Sequence, residues 1–330
     1  MRQNPSPRRP LTGRHRAATT ATAATAAALL LTGCASATTT ASGGGPGESG
    51  TPASCGTPPP TVPGAPQPTR LAQGGARITT AGPTCFEYEV TNPNAEPYDY
   101  TVVFDGPDPS RGAAVFGSPG DAVNLTRTVT ALAPGATEKG RIDLTAPGAP
   151  TQGRPDNPRP PKPELLTVRS VPTAEAPHPD GPCPPSGLRL YADDGSAAMG
   201  LRAVSVHLRN CGTATVTLDG YPQVQPLDAD HQPLDGVRVL RGGAEIASGT
   251  GADDPPRKIA LRPGEGARSV LVWRNTTEAG TPQNAPYVRV RATPDAAPVM
   301  VTPELDLGTT GRLGAGAWTR EDANGTAPAR

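Results

Sequence analysis

The side chains with the greatest capacity for chemistry in this 330-residue sequence are five cysteines: Cys34, Cys55, Cys85, Cys183 and Cys211. A thiolate can serve as nucleophile, metal ligand or disulfide partner, and spacing separates these roles. No C-x-x-C occurs and no histidine lies close in sequence to complete a tetrahedron, so no metal is expected. Setting Cys34 aside leaves an even set that permits three pairings. Pairing within a module is favoured, Cys55 with Cys85 and Cys183 with Cys211. Each closed loop of about 30 residues would then contribute roughly 3 kcal/mol through chain entropy. Three histidines lie beyond the first 33 residues. His178 sits among prolines, His207 on the polar face of an alternating segment and His231 in Asp228-Ala229-Asp230-His231. All three read as solvated surface imidazoles. Asp228, Asp230 and Asp235 lack the glycine and closing glutamate of a calcium loop and read as a polar turn. No H-E-x-x-H, G-x-S-x-G or phosphate-binding loop is present. Neither a catalytic residue nor a cofactor is expected.

Cys34 stands apart because of what precedes it. Residues 1–16 are basic and polar, residues 17–31 are Ala/Thr-rich and end in three leucines, and Leu31-Thr32-Gly33-Cys34 follows. A basic region, an apolar run of about 15 residues and small residues at the cut make a signal peptide. The run is too short for a comfortable transmembrane helix. Leu31-Thr32-Gly33-Cys34 resembles a bacterial lipobox. That resemblance implies a diacylglycerol on the Cys34 sulfur and cleavage before it, and paired acyl chains anchor firmly where one would be reversible.

Composition limits the rest. Proline (43) and glycine (39) together make about a quarter of the chain and aromatics only 3%, which disfavours one large core. Residues 1–33 hold five arginines and no acid, so the remainder carries 25 basic against 30 acidic residues. A net negative body argues against nucleic acid, which needs a concentrated basic face. Residues 35–54 are Thr/Ser/Gly-rich and cannot bury enough surface to offset ordering entropy, so they read as a flexible tether.

The elements that would position these groups are strands. Phe86, Tyr88 and Val90 alternate with glutamates, and Tyr98, Tyr100, Val102 and Phe104 alternate with more polar residues, the period of a half-buried strand. Ile142 and Leu144 mark another strand, and residues 165–171 a last one. Residues 146–163 carry seven prolines and cannot be a central strand. Further short strands are expected at 188–191, 204–208, 215–218, 237–240, 259–261, 270–273, 287–290 and 299–301. The expected fold is all-β, two immunoglobulin-like β-sandwich modules after a disordered N-terminal tether. The expected organisation is a signal peptide over 1–33, a lipidated tether over 34–69, a first module over 70–172 with a Pro-rich loop at 146–163, a linker over 173–182, a second module over 183–320 and a tail over 321–330. Two motifs recur between the modules. Val90-Thr91-Asn92 echoes Leu208-Arg209-Asn210, and Leu132-Ala133-Pro134-Gly135 echoes Leu261-Arg262-Pro263-Gly264. Pro134-Gly135 and Pro263-Gly264 suit the two central positions of a type II turn.

Cys183, Leu188-Arg189-Leu190, Leu208-Arg209-Asn210-Cys211-Gly212, Leu218-Asp219-Gly220-Tyr221-Pro222, Leu261-Arg262-Pro263-Gly264 and residues 307–313 occur in an order that resembles DUF4232, an actinobacterial domain of unknown function. The resemblance covers about residues 181–320 and implies an immunoglobulin-like sandwich with no known activity. Many members place a cysteine at the position of Val216 here, so their second disulfide is absent. Gly220-Tyr221-Pro222 also reads as a structural turn, with Gly220 allowing a tight strand exit, Pro222 stiffening the chain and the Tyr221 hydroxyl reaching a backbone partner.

The function expected from these readings is that of a non-catalytic, lipid-anchored cell-envelope protein on the extracytoplasmic face of the membrane. It would serve as a binding or structural module whose partner is an envelope protein or glycan. Carbohydrate or peptidoglycan binding is an alternative that requires exposed rings, for which Tyr191, Tyr221, Trp273 and Trp318 are the candidates. An extracellular hydrolase is a further alternative without a recognisable constellation.

Overall fold

The computed structural model describes residues 54–58, 70–107, 124–144 and 163–321. The leader, Cys34, the tether over 35–53 and 59–69, most of the Pro-rich segment 146–163 and residues 322–330 lie outside them. Apart from one 3₁₀ turn at Thr173–Glu175, the regular structure of the described residues is all strand.

The first module contains β1 (Ala72–Gln73), β2 (Ala76–Ala81), β3 (Cys85–Thr91), β4 (Tyr98–Pro107), β5 (Asn124–Leu132), β6 (Thr137–Asp143) and β7 (Leu165–Pro172). They form two sheets, β1-β2-β3-β6 and β5-β4-β7. Phe86, Tyr88 and Val90 of β3 and Tyr98, Tyr100, Val102 and Phe104 of β4 are buried, as alternation demands. Their rings meet between the layers, with Phe104 at 5.1 Å from Phe86 and 5.0 Å from Tyr88. Gly140 pairs with Tyr88 across β3 and β6, and a methyl group there would lie 2.3 Å from the Tyr88 ring, so only glycine lets the ring lie flat on that strand.

The second module contains β8 (Leu188–Ala192), β9 (Ser196–Ala198), β10 (Leu201–Asn210), β11 (Val216–Asp219), β12 (Gln223–Leu227), β13 (Arg238–Arg241) and β14 (Lys258–Leu261). It continues with β15 (Gly266–Arg274), β16 (Asn284–Ala285), β17 (Tyr287–Arg291), β18 (Val299–Val301), β19 (Leu305–Asp306), β20 (Arg312–Ala315) and β21 (Thr319–Glu321). One layer runs β13-β20-β15-β10-β8, with β9 on β10 and β21 on β15. The other elements are the three-stranded β12-β17-β18 and the pairs β11-β14 and β16-β19. Leu208 and Leu271 of the large sheet share one core with Val288, Val290, Leu218 and Leu261 from the elements opposite.

Both expected disulfides form, Cys55–Cys85 with Cα atoms 5.2 Å apart and Cys183–Cys211 with Cα atoms 5.7 Å apart. Cys55 is buried and Thr57 bridges Ala81, so residues 54–58, expected as part of the tether, are built onto the first module. The recurrent motifs become one structural device used twice. In the first module Asn92 Nδ2 donates to the carbonyls of Glu96 and Leu132 at 2.8 Å each, and Oδ1 accepts from Asn94 N–H. In the second, Asn210 Nδ2 donates to Ala214 and Leu261 at 2.8 and 2.9 Å, and Oδ1 accepts from Gly212 N–H. The carbonyls of Asn92 and Asn210 accept from Gly135 and Gly264. The two glycines have φ of +69° and +86°, as the third residue of a type II turn requires.

The modules meet in a small apolar joint of Val171, Ala176, Leu227, Tyr287 and Met300. Polar contacts surround it. Tyr287 Oη accepts from Ser170 N–H at 3.1 Å, Arg289 Nε meets Glu175 at 2.7 Å, and Arg169 forks onto both oxygens of Glu304. The His231 ring stacks on Tyr98 at 6.0 Å and meets Tyr287 edge-on at 4.4 Å. Part of the segment 173–182, expected as a linker, is therefore built into the joint through Glu175 and Ala176. His231 is likewise clamped between rings rather than solvated, a correction that long-range packing alone reveals.

Candidate functional site

His207 lies mid-strand in β10 with its side chain largely covered. Nδ1 is 2.8 Å from Glu321 Oε1, Nε2 is 3.5 Å from Asp193 Oδ2, and the ring stacks on Tyr191 at 5.0 Å. The Glu321 hydrogen bond, outweighing burial and helped by Asp193, holds the imidazole above its ordinary range. Asp193 is itself fixed by N–H groups of Gly195 and Ser205. The sequence expectation of a solvated imidazole is thus corrected. A histidine with a carboxylate at each nitrogen ties β21 to the sheet, since Glu321 belongs to that last strand. Glu321 stands 114 residues away in sequence, at the start of the expected tail, so no local signal marks it.

A second polar centre is Asp306. Its carboxylate accepts from Trp273 Nε1 and Asn275 Nδ2 at 2.9 Å each, and Arg202 lies 3.3 Å away. Asp306, Trp273 and Arg202 line a pocket of about 360 Å³ together with Asp194 and Glu304. Trp273 is 3% exposed and Trp318 is 1% exposed, with the Trp318 indole N–H bonded to the Ala292 carbonyl. Neither indole presents a face to a sugar ring. Tyr191 is half-buried against His207, and Tyr221 is half-buried as well.

Gly220-Tyr221-Pro222 leaves β11 at a sharp exit, with φ of +76° at Gly220 and its carbonyl accepting from Trp318 N–H at 2.8 Å. Pro222 is buried. Among the described residues the Tyr221 hydroxyl has no hydrogen-bond partner, so the expected bond to the backbone does not form. The side chain lines a groove of about 620 Å³ with Pro222, Val224, Val239, Arg241 and Pro294. This groove opens between β12 and β13, the edge strands of two different sheets. Sequence reasoning missed it because β12 was not foreseen and nothing in the strand expected over 237–240 marks it as the edge of a sheet.

Pro263 and Gly264 occupy the turn expected of them, with Glu265 N–H bonding the Arg262 carbonyl at 3.0 Å. Asp228 closes its own turn by accepting from Asp230 and Gln232 N–H groups. No group of three or more His, Cys, Asp or Glu side chains among the described residues is placed to hold a metal. Cys34 lies outside the described residues.

Residues 183–319 match the family model of a domain of unknown function, DUF4232. The match spans the second module from its first disulfide cysteine into β21. No curated protein and no solved structure matches the chain.

Proposed function

We propose that this chain is a non-catalytic, lipid-anchored cell-envelope protein whose two β modules form a jointed body for binding or support on the extracytoplasmic side. One observation carries the reading. Four of the five cysteines pair with each other, which leaves Cys34, directly behind an apolar leader, as the sulfur without a disulfide partner in the chain. Disulfides fit an oxidising, exported setting. A lone thiol after Leu31-Thr32-Gly33 fits acylation, and two acyl chains hold a protein to a bilayer. The His207 and Asp306 clusters spend their polar atoms on holding strands together, which supports a mechanical or binding body over a reactive one.

Fractionation of expressing cells tests this. The parent chain should sediment with membranes and Cys34→Ala should appear in the soluble exported fraction. A Cys34→Ala protein that remains with the membrane overturns the anchor.

A further inference from the structure

We propose that the open half of the outer face of the large sheet, where Arg189, Arg209 and Arg268 lie, is a docking surface for a linear phosphodiester polymer. This rests on the binding half of the reading above and not on the lipid anchor.

Arg189 of β8 stands directly opposite Arg209 of β10, and Gly266 of β15 continues the row. Side chains directly opposite share one face of an antiparallel sheet, with Cβ atoms about 5 Å apart, and like charges there destabilise the ladder. The next row on that face holds Tyr191, His207 and Arg268, so Arg268 is a diagonal neighbour of Arg209 at about 7–8 Å. Arg202, Arg238, Arg289 and Arg320 each meet a carboxylate. Among the described residues Arg189, Arg209 and Arg268 form no ion pair. The two carboxylates on the face, Asp193 and Glu321, are both turned onto His207. In the loop that passes Arg268 at Gly251, Asp253 gives Oδ2 to the Gly249 N–H. With His207 protonated, the two rows and their carboxylates hold four positive groups against two negative ones, an excess of two.

The surface is open and its charges are fixed in advance. Ala252 and Ile246 roof the other half of the face over Val270 and Val272, whereas Arg209 is exposed. Arg189 and Arg268 lie along the sheet with Nε buried, and Arg189 Nη2 donates to the Gly181 carbonyl. Guanidinium groups held in this way lose little freedom when an anion arrives. The chemistry of the anion follows from the opposed pair. One guanidinium fork fills the two coplanar oxygens of a carboxylate, while the tetrahedral oxygens of a phosphodiester accept from two forks at once. The diagonal step to Arg268 places the third charge where a further repeat of the same chain would lie. Met199 and Val239, the large apolar side chains that the second module leaves exposed, belong to neither row, so the face has no group to insert into a bilayer.

The test is titration of the full chain carrying Cys34→Ala with synthetic poly(glycerol phosphate), compared at matched charge with hyaluronan, a carboxylate polymer. The chain should bind the phosphate polymer at about 50 mM salt, and affinity should fall with salt at a logarithmic slope of about 3, one for each arginine. Arg209→Gln should lower that slope by about 1, and Arg209→Glu should weaken binding about tenfold or more. Arg209 makes no hydrogen bond or ion pair among the described residues, so both variants should fold. The glutamine variant should melt no lower than its parent, because a like-charge pair is removed. Arg77→Gln, on the first module, should bind as the parent does. No binding at low salt, unchanged binding by Arg209→Glu, or hyaluronan bound as tightly as the phosphate polymer overturns the proposal. The assay needs no membrane, so its failure is distinguishable from failure of the anchor, which fractionation reads separately.

Discussion

Asn92 and Asn210 make the same clamp in two halves of one chain. Each is fully buried, each bridges the end of its own loop to the leucine of a Leu-x-Pro-Gly turn, and each carbonyl receives the turn glycine. The strands around them correspond too. β3 pairs antiparallel with β6 as β10 does with β15, and β4 pairs with β5 as β11 does with β14. The modules are variations on one sandwich, although only the second matches a family model. The disulfides are not equivalent, since Cys85 opens β3 while Cys211 follows the end of β10.

Replacing either asparagine leaves two carbonyls and an N–H without their partner in a buried corner, and each such group costs about 1–3 kcal/mol. Asn210→Ala and Asn92→Ala should each lower stability by roughly 3 kcal/mol in urea titration. A loss below about 0.5 kcal/mol for both would show that water replaces the clamp.

The two packed histidines impose opposite pH dependences. His207 is raised above its ordinary 6.5 by Glu321 first, so its stabilisation is present below that value and is lost as pH climbs through the folded value. His231 is lowered from 6.5, chiefly by burial, with Arg289 adding to the shift and Glu175 and Asp228 opposing it. Its neutral form stabilises the joint above 6.5, and that contribution disappears as pH falls. Melting temperatures of the parent, His207→Gln and His231→Gln should diverge accordingly. The gap between parent and His207→Gln should be wider at about pH 5 than at about pH 8, and the gap to His231→Gln narrower. Gaps that move the same way would contradict the assignment.

The joint makes its own prediction. Met300 is fully buried in the small intermodule cluster, and truncating such a side chain costs about 2–5 kcal/mol. Met300→Ala should split one calorimetric transition into two as the modules uncouple. A single transition shifted downward as a unit would mean that the polar contacts of Arg169 and Arg289 suffice.

Removal of the second disulfide by Cys183→Ser with Cys211→Ser opens a loop with a sequence separation of 28 and should cost roughly 3 kcal/mol. Denaturant titration of the double variant measures it, and a loss near zero would place the constraint elsewhere.

The strands legible in the sequence were those with strong apolar alternation, such as β3 and β4, or with a compact β-branched run, such as β15 and β18. β5, with Thr-Arg-Thr-Val-Thr at its centre, and the wholly polar β21 gave no such signal, because their burial comes from neighbours on one side only. The cysteine pairing followed from parity and module boundaries. The clamps of His207 and His231 did not, because Glu321, Tyr98 and Tyr287 are distant in sequence and only the closed sheets bring them together. The groove escaped notice for the same reason: an edge exists only once strand order is known.

Mass spectrometry of the natural mature protein decides whether Cys34 is the lipid anchor. The expected product begins at Cys34, carries diacylglycerol on that sulfur and contains no free thiol under denaturing, non-reducing conditions. An unmodified Cys34, an uncleaved leader or two or more free thiols would contradict it.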